Sequence, residues 1–206
     1  MEFEFKNGVL TFEKELSNLD KLVLKFVKIL EQQKIDYVLV SGYVAILFGR
    51  SRNTEDIDMF IEEMGFEQFE KLWNSLYENG FECINVLNPK DAYFEYLKNE
   101  TAIRFALKGT FIWNFEVKFP KTKYNIYSLK HKVIVLLNGE QMNTSEMELQ
   151  IAFKLYLGSE KDFEDARHLY KVFSKYLDVE LMKKHIQEIG VQKEAERILW
   201  KKKFQD

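Results

Sequence analysis

The pattern of apolar and polar residues in the first quarter of the chain predicts a helix, a strand and a second helix. Over residues 17–33 apolar side chains recur every three or four positions, the spacing of one helical face. They are Leu19, Leu22, Val23, Phe26, Val27 and Leu30. Ser17 and Asp20 have the spacing of a helix cap. Residues 36–40 predict a short buried strand, which the Ser41-Gly42 turn joins to an apolar helix over residues 43–48.

The middle of the chain predicts a sheet. Residues 56–61 begin with alternating acidic and apolar side chains, as expected of a half-buried strand, and residues 66–76 have the spacing of an amphipathic helix. Further strands are predicted at residues 81–87, 101–107, 111–119, 124–129 and 132–137. Pro89 suits the first turn of a short helix that continues to residue 97.

The last third of the chain predicts only helices. Ser145 and Glu148 have capping-box spacing before an apolar helix to residue 157, and more helices are predicted near residues 161–173, 179–189 and 192–204. We therefore expect an α+β fold, with a mixed β-sheet flanked by helices over residues 1–140. A helical C-terminal region, residues 141–206, would pack on this core. The boundary also suits a change of layer within one domain.

Composition narrows the classes of function. The single cysteine, Cys83, excludes an intrachain disulfide and a cysteine-cluster zinc site and suits a reducing compartment. A formal net charge of −3 gives no overall electrostatic case for non-specific nucleic-acid binding. The N-terminus lacks the basic and apolar stretches of a secretory signal, and no apolar run is long enough to span a bilayer. We expect a cytoplasmic protein without a membrane partner.

Asp56 and Asp58 are the first candidates for chemistry. They lie two residues apart on a predicted strand, so their side chains project from one face, roughly 7 Å apart along the strand. Carboxylates this close are unfavourable unless a cation lies between them, and oxygen-only sites select hard ions such as Mg²⁺ or Mn²⁺. The pair predicts a metal site, although an isolated Asp-x-Asp is also common by chance.

The Ser41-Gly42 turn adds a second candidate feature. Thirteen residues separate Gly42 from Asp56. Small residues at a strand-to-helix turn expose backbone N–H groups beside the positive end of a helix, which is a phosphate-binding arrangement. We therefore expect a phosphate site next to the metal site.

Together these segments resemble the signature of the nucleotidyltransferase superfamily. The resemblance lies in Tyr37-Val38-Leu39-Val40-Ser41-Gly42-Tyr43-Val44-Ala45 and in Thr54-Glu55-Asp56-Ile57-Asp58-Met59-Phe60. Within the superfamily it is closest to the minimal nucleotidyltransferases and the AbiEii-type toxin group. It implies a Mg²⁺- or Mn²⁺-dependent enzyme that uses a nucleoside triphosphate such as ATP. It also implies a third acid on a later, adjacent strand, and Glu116 is the candidate for third metal ligand or general base.

The sequence departs from the family pattern in two places. Ser41 stands where the family usually has glycine, and serine tolerates fewer backbone angles. The third acid of the family is more often Asp than Glu. These departures leave open an inactive member of the family.

Basic residues could complete a triphosphate site. Arg50 and Arg52 lie between the turn and the aspartates, where guanidinium groups could bind phosphates; an ordinary solvated loop is an equal alternative. Lys154 lies on the apolar helix before Lys161-Asp162-Phe163-Glu164-Asp165, which resembles a Lys-Asp-x-x-Asp helix of the same family. Lys154 could reach the triphosphate, and Asp162 or Asp165 could orient the lysine side chain. We favour the alternative that these two acids complement the helix dipole.

These features lead to one hypothesis of function and two alternatives. The first is a transferase that moves a nucleoside monophosphate from a triphosphate to a hydroxyl of RNA such as tRNA, a protein or a small molecule, with release of pyrophosphate. The second is a non-catalytic binding module of the same fold in a toxin–antitoxin or regulatory complex. A metal-dependent phosphohydrolase would use the same acids. A homodimer or an antitoxin-like partner is compatible with each.

Overall fold

A single mixed sheet organises the structure, a computed structural model that describes residues 2–200. Its strands are β1 (Glu4–Lys6), β2 (Val9–Phe12), β3 (Tyr37–Leu39), β4 (Asp56–Ile61), β5 (Phe81–Cys83), β6 (Ile103–Leu107), β7 (Asn114–Lys118), β8 (Val133–Leu137) and β9 (Glu140–Thr144). Their order in the sheet is β1-β2-β8-β9-β3-β4-β7-β6-β5. The pairs β2–β8, β3–β9 and β4–β7 are parallel, and the other pairs are antiparallel.

Helices flank the sheet and form the C-terminal region. They are α1 (Asn18–Gln32), α2 (Ser41–Leu47), α3 (Phe66–Glu78), α4 (Pro89–Asp91), α5 (Lys123–Lys130), α6 (Met147–Leu157), α7 (Glu160–Phe173), α8 (Val179–Ile189) and α9 (Gln192–Ala195). α4 continues into a π-helical turn, Ala92–Tyr96, and a 3₁₀ turn, Leu97–Asn99. A π-helical turn, Glu196–Trp200, follows α9. None of the helices in residues 2–200 is both long and apolar enough to cross a membrane.

The apolar face of α1 covers the sheet beside the acidic strands. Phe26 of α1 stacks on Phe115 of β7 with ring centroids 3.9 Å apart, and it meets Phe81 of β5 edge to face. These rings are almost completely buried. Because side chains alternate across a strand, burial of Phe115 on this side sends Glu116 to the opposite face. The core packing thus fixes the face on which the acids project.

The C-terminal helices pack on α2 and on each other. Phe48, which follows α2, meets Phe173 of α7 edge to face at 4.8 Å, and the ring Nε2 of His168 lies 2.9 Å from the carbonyl oxygen of Phe48. β9 spans the predicted boundary near residue 140 and belongs to the sheet. The α+β prediction is confirmed, with a helix-flanked mixed sheet and a helical C-terminal region. The division into two domains stays a prediction.

Several predicted elements differ from the structure. Residues 124–129, predicted as a strand, belong to helix α5, because Thr122 and Asn125 form a reciprocal capping box at its start. The capping box predicted at Ser145 is also wrong: α6 begins without a side-chain cap. β1, β2 and β9 were not predicted. The last predicted helix continues to residue 204, and residues 201–206 lie outside the described range.

Candidate active site

Three acids lie on one face of two neighbouring strands; we call Asp56, Asp58 and Glu116 the β4–β7 acids. In β4, partly buried and buried positions alternate, so Asp56 and Asp58 project from the same side. β7 runs parallel to β4 in a register that places Glu116 opposite Asp58. Burial raises the pKa of Asp58 and the Glu116 charge raises it further, whereas Lys118 and the Ser41 hydroxyl lower it. A cation next to Asp58 would therefore stabilise its ionised form.

Asp56 and Glu116 contact different polar neighbours. The Asn114 side-chain amide donates to Asp56 Oδ1 at 2.8 Å. Lys118 Nζ lies 2.9 Å from Glu116 Oε1, and Arg104 Nη2 lies 3.9 Å from the same oxygen. Within residues 2–200 no three His, Cys, Asp or Glu side chains lie close enough together to hold a metal ion. The acids share a face as predicted, but the three carboxylates do not form a metal-binding group in this arrangement.

The Ser41-Gly42 turn lies against this face in a constrained conformation. Ser41 has a φ of 63°, in the left-handed region that disfavours residues with a side chain by about 1–2 kcal/mol. A side chain on Gly42 would place its Cβ 3.2 Å from Arg52 Nη2. The glycine therefore lets the arginine approach the turn, whereas Ser41 adopts angles that glycine would adopt without penalty.

The basic candidates belong to a buried network, which we call the Asp165 cluster: Arg50, Arg52, Lys154, Asp162, Glu164 and Asp165. Asp165 is fully buried at 0% exposure, and Lys154 is 2% exposed. Lys154 Nζ lies 3.0 Å from Asp165, Arg52 forms an ion pair with the same carboxylate, and Arg50 Nε lies 3.6 Å from it. The cluster joins the loop before β4 to α6 and α7.

Asp162 has two roles in this cluster. Its carboxylate accepts a hydrogen bond from Lys154 Nζ at 2.7 Å and another from the Ser159 hydroxyl. Ser159 caps α7 by accepting from the backbone N–H of Asp162. Partial burial acts to raise the pKa of Asp162, but the hydrogen bonds from Lys154 and Ser159 outweigh it, so the pKa lies below its usual value. Asp162 therefore orients Lys154 and also lies in the first turn of α7.

Two pockets meet at Ser41 and Asp58. The polar pocket, about 360 Å³ in volume, is lined by Gly42, Arg52, Asp56 and Lys161 together with those two residues. The mixed pocket, about 220 Å³, is lined on one side by Glu116 and Lys118 and on the other by apolar and polar residues of α6. Lys154 borders the mixed pocket, and Arg50 is outside both linings. The acids and the turn therefore lie between two different chemical environments.

Solved structures with this architecture supply the comparison with known proteins. An antigenic nucleotidyltransferase-like protein from Paracoccidioides brasiliensis superimposes with a TM-score of 0.54 at 16% identity, over 86% of this chain and 90% of that one. The antibiotic-resistance factor ANT(2'')-Ia gives 0.53 at 11% identity, over 88% and 97%. This chain has a nucleotidyltransferase fold. ANT(2'')-Ia in complex with adenylyl-2''-tobramycin gives 0.54 at 12% identity, over 84% and 98%.

The fold is what these comparisons establish. No protein-family model and no curated protein matches the sequence. The narrower resemblance to minimal nucleotidyltransferases and AbiEii-type toxins therefore stays a prediction, as do the roles of individual residues in the nucleotidyltransferase fold.

Several residues of the site escaped prediction from the sequence. Asn114 and Lys118 lie two residues on either side of Glu116, so strand alternation could have placed them on its face. Gln150 lies one helical turn before Lys154, and its polarity within an otherwise apolar stretch was the available signal. Lys161 lines the polar pocket, whereas the sequence pointed to it only as the first residue of the Lys-Asp-x-x-Asp resemblance and not as a binding residue.

Proposed function

We propose that this chain is a metal-dependent nucleotidyltransferase that moves a nucleoside monophosphate from a triphosphate to an acceptor hydroxyl. The observation that carries the proposal is the register of β4 and β7. It places Glu116 opposite Asp58, on the face from which Asp56 also projects, next to the Ser41-Gly42 turn. A nucleotidyltransferase fold is thereby combined with an acidic site between two pockets.

The reaction needs a proton acceptor next to the attacking hydroxyl. The hydroxyl oxygen attacks the α-phosphorus and forms a new P–O bond, while the bond from the α-phosphorus to the bridging oxygen breaks and pyrophosphate leaves. In the proposal Glu116 takes the hydroxyl proton. Its carboxylate borders the mixed pocket, which we assign to the acceptor. General-base catalysis of this kind contributes about a hundredfold to ten-thousandfold in rate.

Asp56 and Asp58 would hold the Mg²⁺ or Mn²⁺ of the reaction. Glu116, on the neighbouring strand, would join them as a ligand only after its carboxylate turns toward the ion, because the three acids do not form a metal-binding group in this structure. Carboxylate oxygens are the donors that these hard ions prefer, and the raised pKa of Asp58 indicates a carboxylate that a neighbouring cation would stabilise. When bound, the metal supplies positive charge that stabilises the phosphoryl oxygens in the transition state. The chain contributes the orientation of the three acids on one sheet face.

The polar pocket suits the triphosphate. Ser41 and Gly42 line it together with Arg52 and Lys161, so small residues and cations border the same space. Arg50, Arg52 and Lys154 also form ion pairs with carboxylates of α7. We infer that Arg52 binds phosphate in the polar pocket, with Arg50 anchoring the loop. Lys154 borders the mixed pocket and would contact phosphate from there, next to Ser41 and Asp58, where the two pockets meet. The transfer assay identifies the nucleotide base and the class of acceptor, which is RNA, protein or a small molecule.

The test is transfer of an α-labelled nucleoside triphosphate to candidate acceptors, including tRNA, in the presence of Mg²⁺ or Mn²⁺. Wild type should label an acceptor and release pyrophosphate, and Asp58→Asn should not. Asp91→Asn is the matched control, because Asp91 is exposed on α4, outside the linings of both pockets. Full activity of an Asp56→Ala/Asp58→Ala variant would overturn the proposal. Phosphate release without an acceptor would instead indicate a phosphohydrolase.

One observation favours the alternative of a non-catalytic binding module in a toxin–antitoxin or regulatory complex. Arg50 is paired with Glu164, Arg52 with Asp165, and Lys154 with Asp162 and Asp165. An arrangement with these pairs also suits a cluster that is purely structural. Titration calorimetry with a non-hydrolysable triphosphate and Mn²⁺ separates the two. Heat that disappears in Asp58→Asn counts for a nucleotide-binding enzyme, and its absence in wild type counts for the module.

A further inference from the structure

A buried amide on α6 holds both backbone polar groups of Ser41. Gln150 is 4% exposed, and its Nε2 donates to the carbonyl oxygen of Ser41 at 2.8 Å. The backbone N–H of Ser41 donates to Gln150 Oε1 at 3.3 Å. The Ser145 hydroxyl donates to the same oxygen at 2.9 Å. Gln150 therefore forms hydrogen bonds with a residue that lies 109 positions earlier in the sequence.

The chemistry of this contact is specific to an uncharged amide. The Ser41 carbonyl needs a donor, while the Ser41 N–H and the Ser145 hydroxyl need an acceptor. Glutamine provides both from one planar group. A carboxylate would keep the acceptor but present an oxygen to the carbonyl, and an apolar side chain would leave these partly buried backbone groups without this partner.

The residue held in this way is in a disfavoured conformation. Ser41 has the left-handed φ of 63° described above. Such angles persist where surrounding contacts over-determine them, and they concentrate at sites of function. Ser41 also borders both pockets. The amide contact and the unfavourable backbone angle therefore occur at the residue where the two pockets meet.

We propose that Gln150 is a positioning residue that holds the Ser41-Gly42 turn in its triphosphate-binding conformation. The inference rests on the proposed function and extends it by assigning a role to α6. Gln150 lies one helical turn before Lys154, so the two side chains project from the same side of α6. α6 thus fixes the turn and Lys154 relative to each other.

The experiment measures triphosphate affinity in Gln150→Met, which has a similar volume and no amide. We expect the Kd for a non-hydrolysable triphosphate with Mn²⁺ to rise about tenfold, which corresponds to the loss of one to two hydrogen bonds in a binding-competent turn. In the activity assay the KM for triphosphate should rise more than kcat falls. Gln150→Glu should not restore affinity at neutral pH, because it lacks the donor to the Ser41 carbonyl.

A second substitution separates positioning from general loss of structure. Ser41→Gly removes the penalty for the left-handed angles, so the turn should depend less on the amide. In the Ser41→Gly background, Gln150→Met should raise Kd by only about two- to threefold, a smaller effect than in wild type. Ile186→Ala in α8 is the control for lost stability, since its buried side chain lies outside the linings of both pockets. It should lower Tm and leave Kd unchanged.

The outcomes distinguish this inference from the proposed function. If wild type binds triphosphate, an unchanged Kd in Gln150→Met, or equal effects in both backgrounds, overturns the positioning role. If wild type binds no triphosphate, the proposed function fails, and with it the triphosphate part of this inference. Hydrogen exchange then decides whether Gln150 holds the turn. Faster exchange of the Ser41 amide in Gln150→Met, at matched global stability, supports that contact, and unchanged exchange refutes it.

Discussion

The β4–β7 acids and the Asp165 cluster are two groups of carboxylates with opposite electrostatic surroundings. In the Asp165 cluster, three cations face three carboxylates, and Asp165 itself is fully buried between them. On the β4–β7 face, by contrast, Asp58 is partly buried close to another carboxylate, and its pKa is raised. Charge is thus balanced at one site and left in excess at the other.

This difference indicates what each cluster does. Buried carboxylates that form ion pairs with several cations hold parts of a fold together, and removing one partner leaves uncompensated charge. A carboxylate with a perturbed pKa next to another acid is typical of a functional site. We therefore interpret the Asp165 cluster chiefly as a joint between the loop before β4 and the C-terminal helices. In the proposed function, the β4–β7 acids are the group that would bind a cation.

The largest expected effect is on activity at Asp58. Asp58→Asn removes a proposed metal ligand, and transfer should fall about ten-thousandfold or more. The free energy of unfolding, in contrast, should rise in this variant. Because the folded pKa of Asp58 lies above its unfolded value, the ionised carboxylate destabilises the fold at neutral pH. Chemical denaturation should show a higher free energy of unfolding for Asp58→Asn at pH 7. The gain should begin to shrink as the pH falls through the folded pKa and should vanish below the unfolded pKa. A strongly destabilised variant would contradict the comparison.

The Asp165 cluster should respond in the opposite manner. Asp165→Ala leaves Lys154 and Arg52 buried without their shared partner, and we expect a loss of about 3–5 kcal/mol in the free energy of unfolding. The neighbouring Glu164 is the matched control: its side chain is 54% exposed, and within residues 2–200 its ion-pair partner is Arg50. Glu164→Ala should change stability by less than about 1 kcal/mol. Equal effects of the two substitutions would show that burial does not distinguish them.

Glu116 tests the division of labour among the β4–β7 acids. Glu116→Gln preserves size but cannot take a proton, so kcat should fall at least about a hundredfold. Triphosphate affinity should change much less than in Asp58→Asn, because Glu116 borders the mixed pocket and not the polar one. Steady-state kinetics combined with calorimetry checks both expectations. If Kd rises as much as kcat falls, Glu116 is chiefly a metal ligand.

The smallest expected effect concerns the cation next to Glu116. The side chain of Lys118 is 33% exposed in its ion pair with Glu116, whereas the side chain of Lys154 is 3% exposed in the Asp165 cluster. Lys118→Met should change the free energy of unfolding by less than about 1 kcal/mol, and the change should shrink with added salt. Lys154→Met should be several times more destabilising and nearly insensitive to salt. Denaturation at two ionic strengths measures both.

The sequence predicts the acidic strand and its turn well because both are local patterns. Alternation gives β4, and small residues after β3 give the Ser41-Gly42 turn. The resemblance to the nucleotidyltransferases implies a third acid on a strand next to the aspartates, with Glu116 as the candidate. The parallel pairing of β7 with β4 confirms that Glu116 lies on such a strand. The contacts of Arg52 and Lys154 with Asp165 were harder to predict, because they join residues more than a hundred positions apart or depend on the packing of α6 on α7.

The errors in secondary structure have equally local causes. Tyr124, Ile126 and Tyr127 have high strand propensity, but the capping pair Thr122 and Asn125 starts a helix there instead. The sequence pattern does not predict β9, because Glu140 and Gln141 are polar and exposed. The segment is a strand because it pairs with β8 and β3. The Ser145 hydroxyl bonds to Gln150 and does not cap α6. That contact depends on tertiary structure, which a capping pattern does not contain.

The position of β2 at one side of the sheet has a consequence for the order of folding. β2 pairs with β8, and the adjoining contact between Lys14 and Asn138 closes a loop of 124 residues. Loops of this length close late in folding. Closing such a loop costs conformational entropy, and this cost comes before the contacts between its two ends can offset it. During synthesis, the strands that carry the acids can pair before β8 exists. We therefore expect the half of the sheet containing β3, β4 and β7 to form first and the N-terminal strands to join it last.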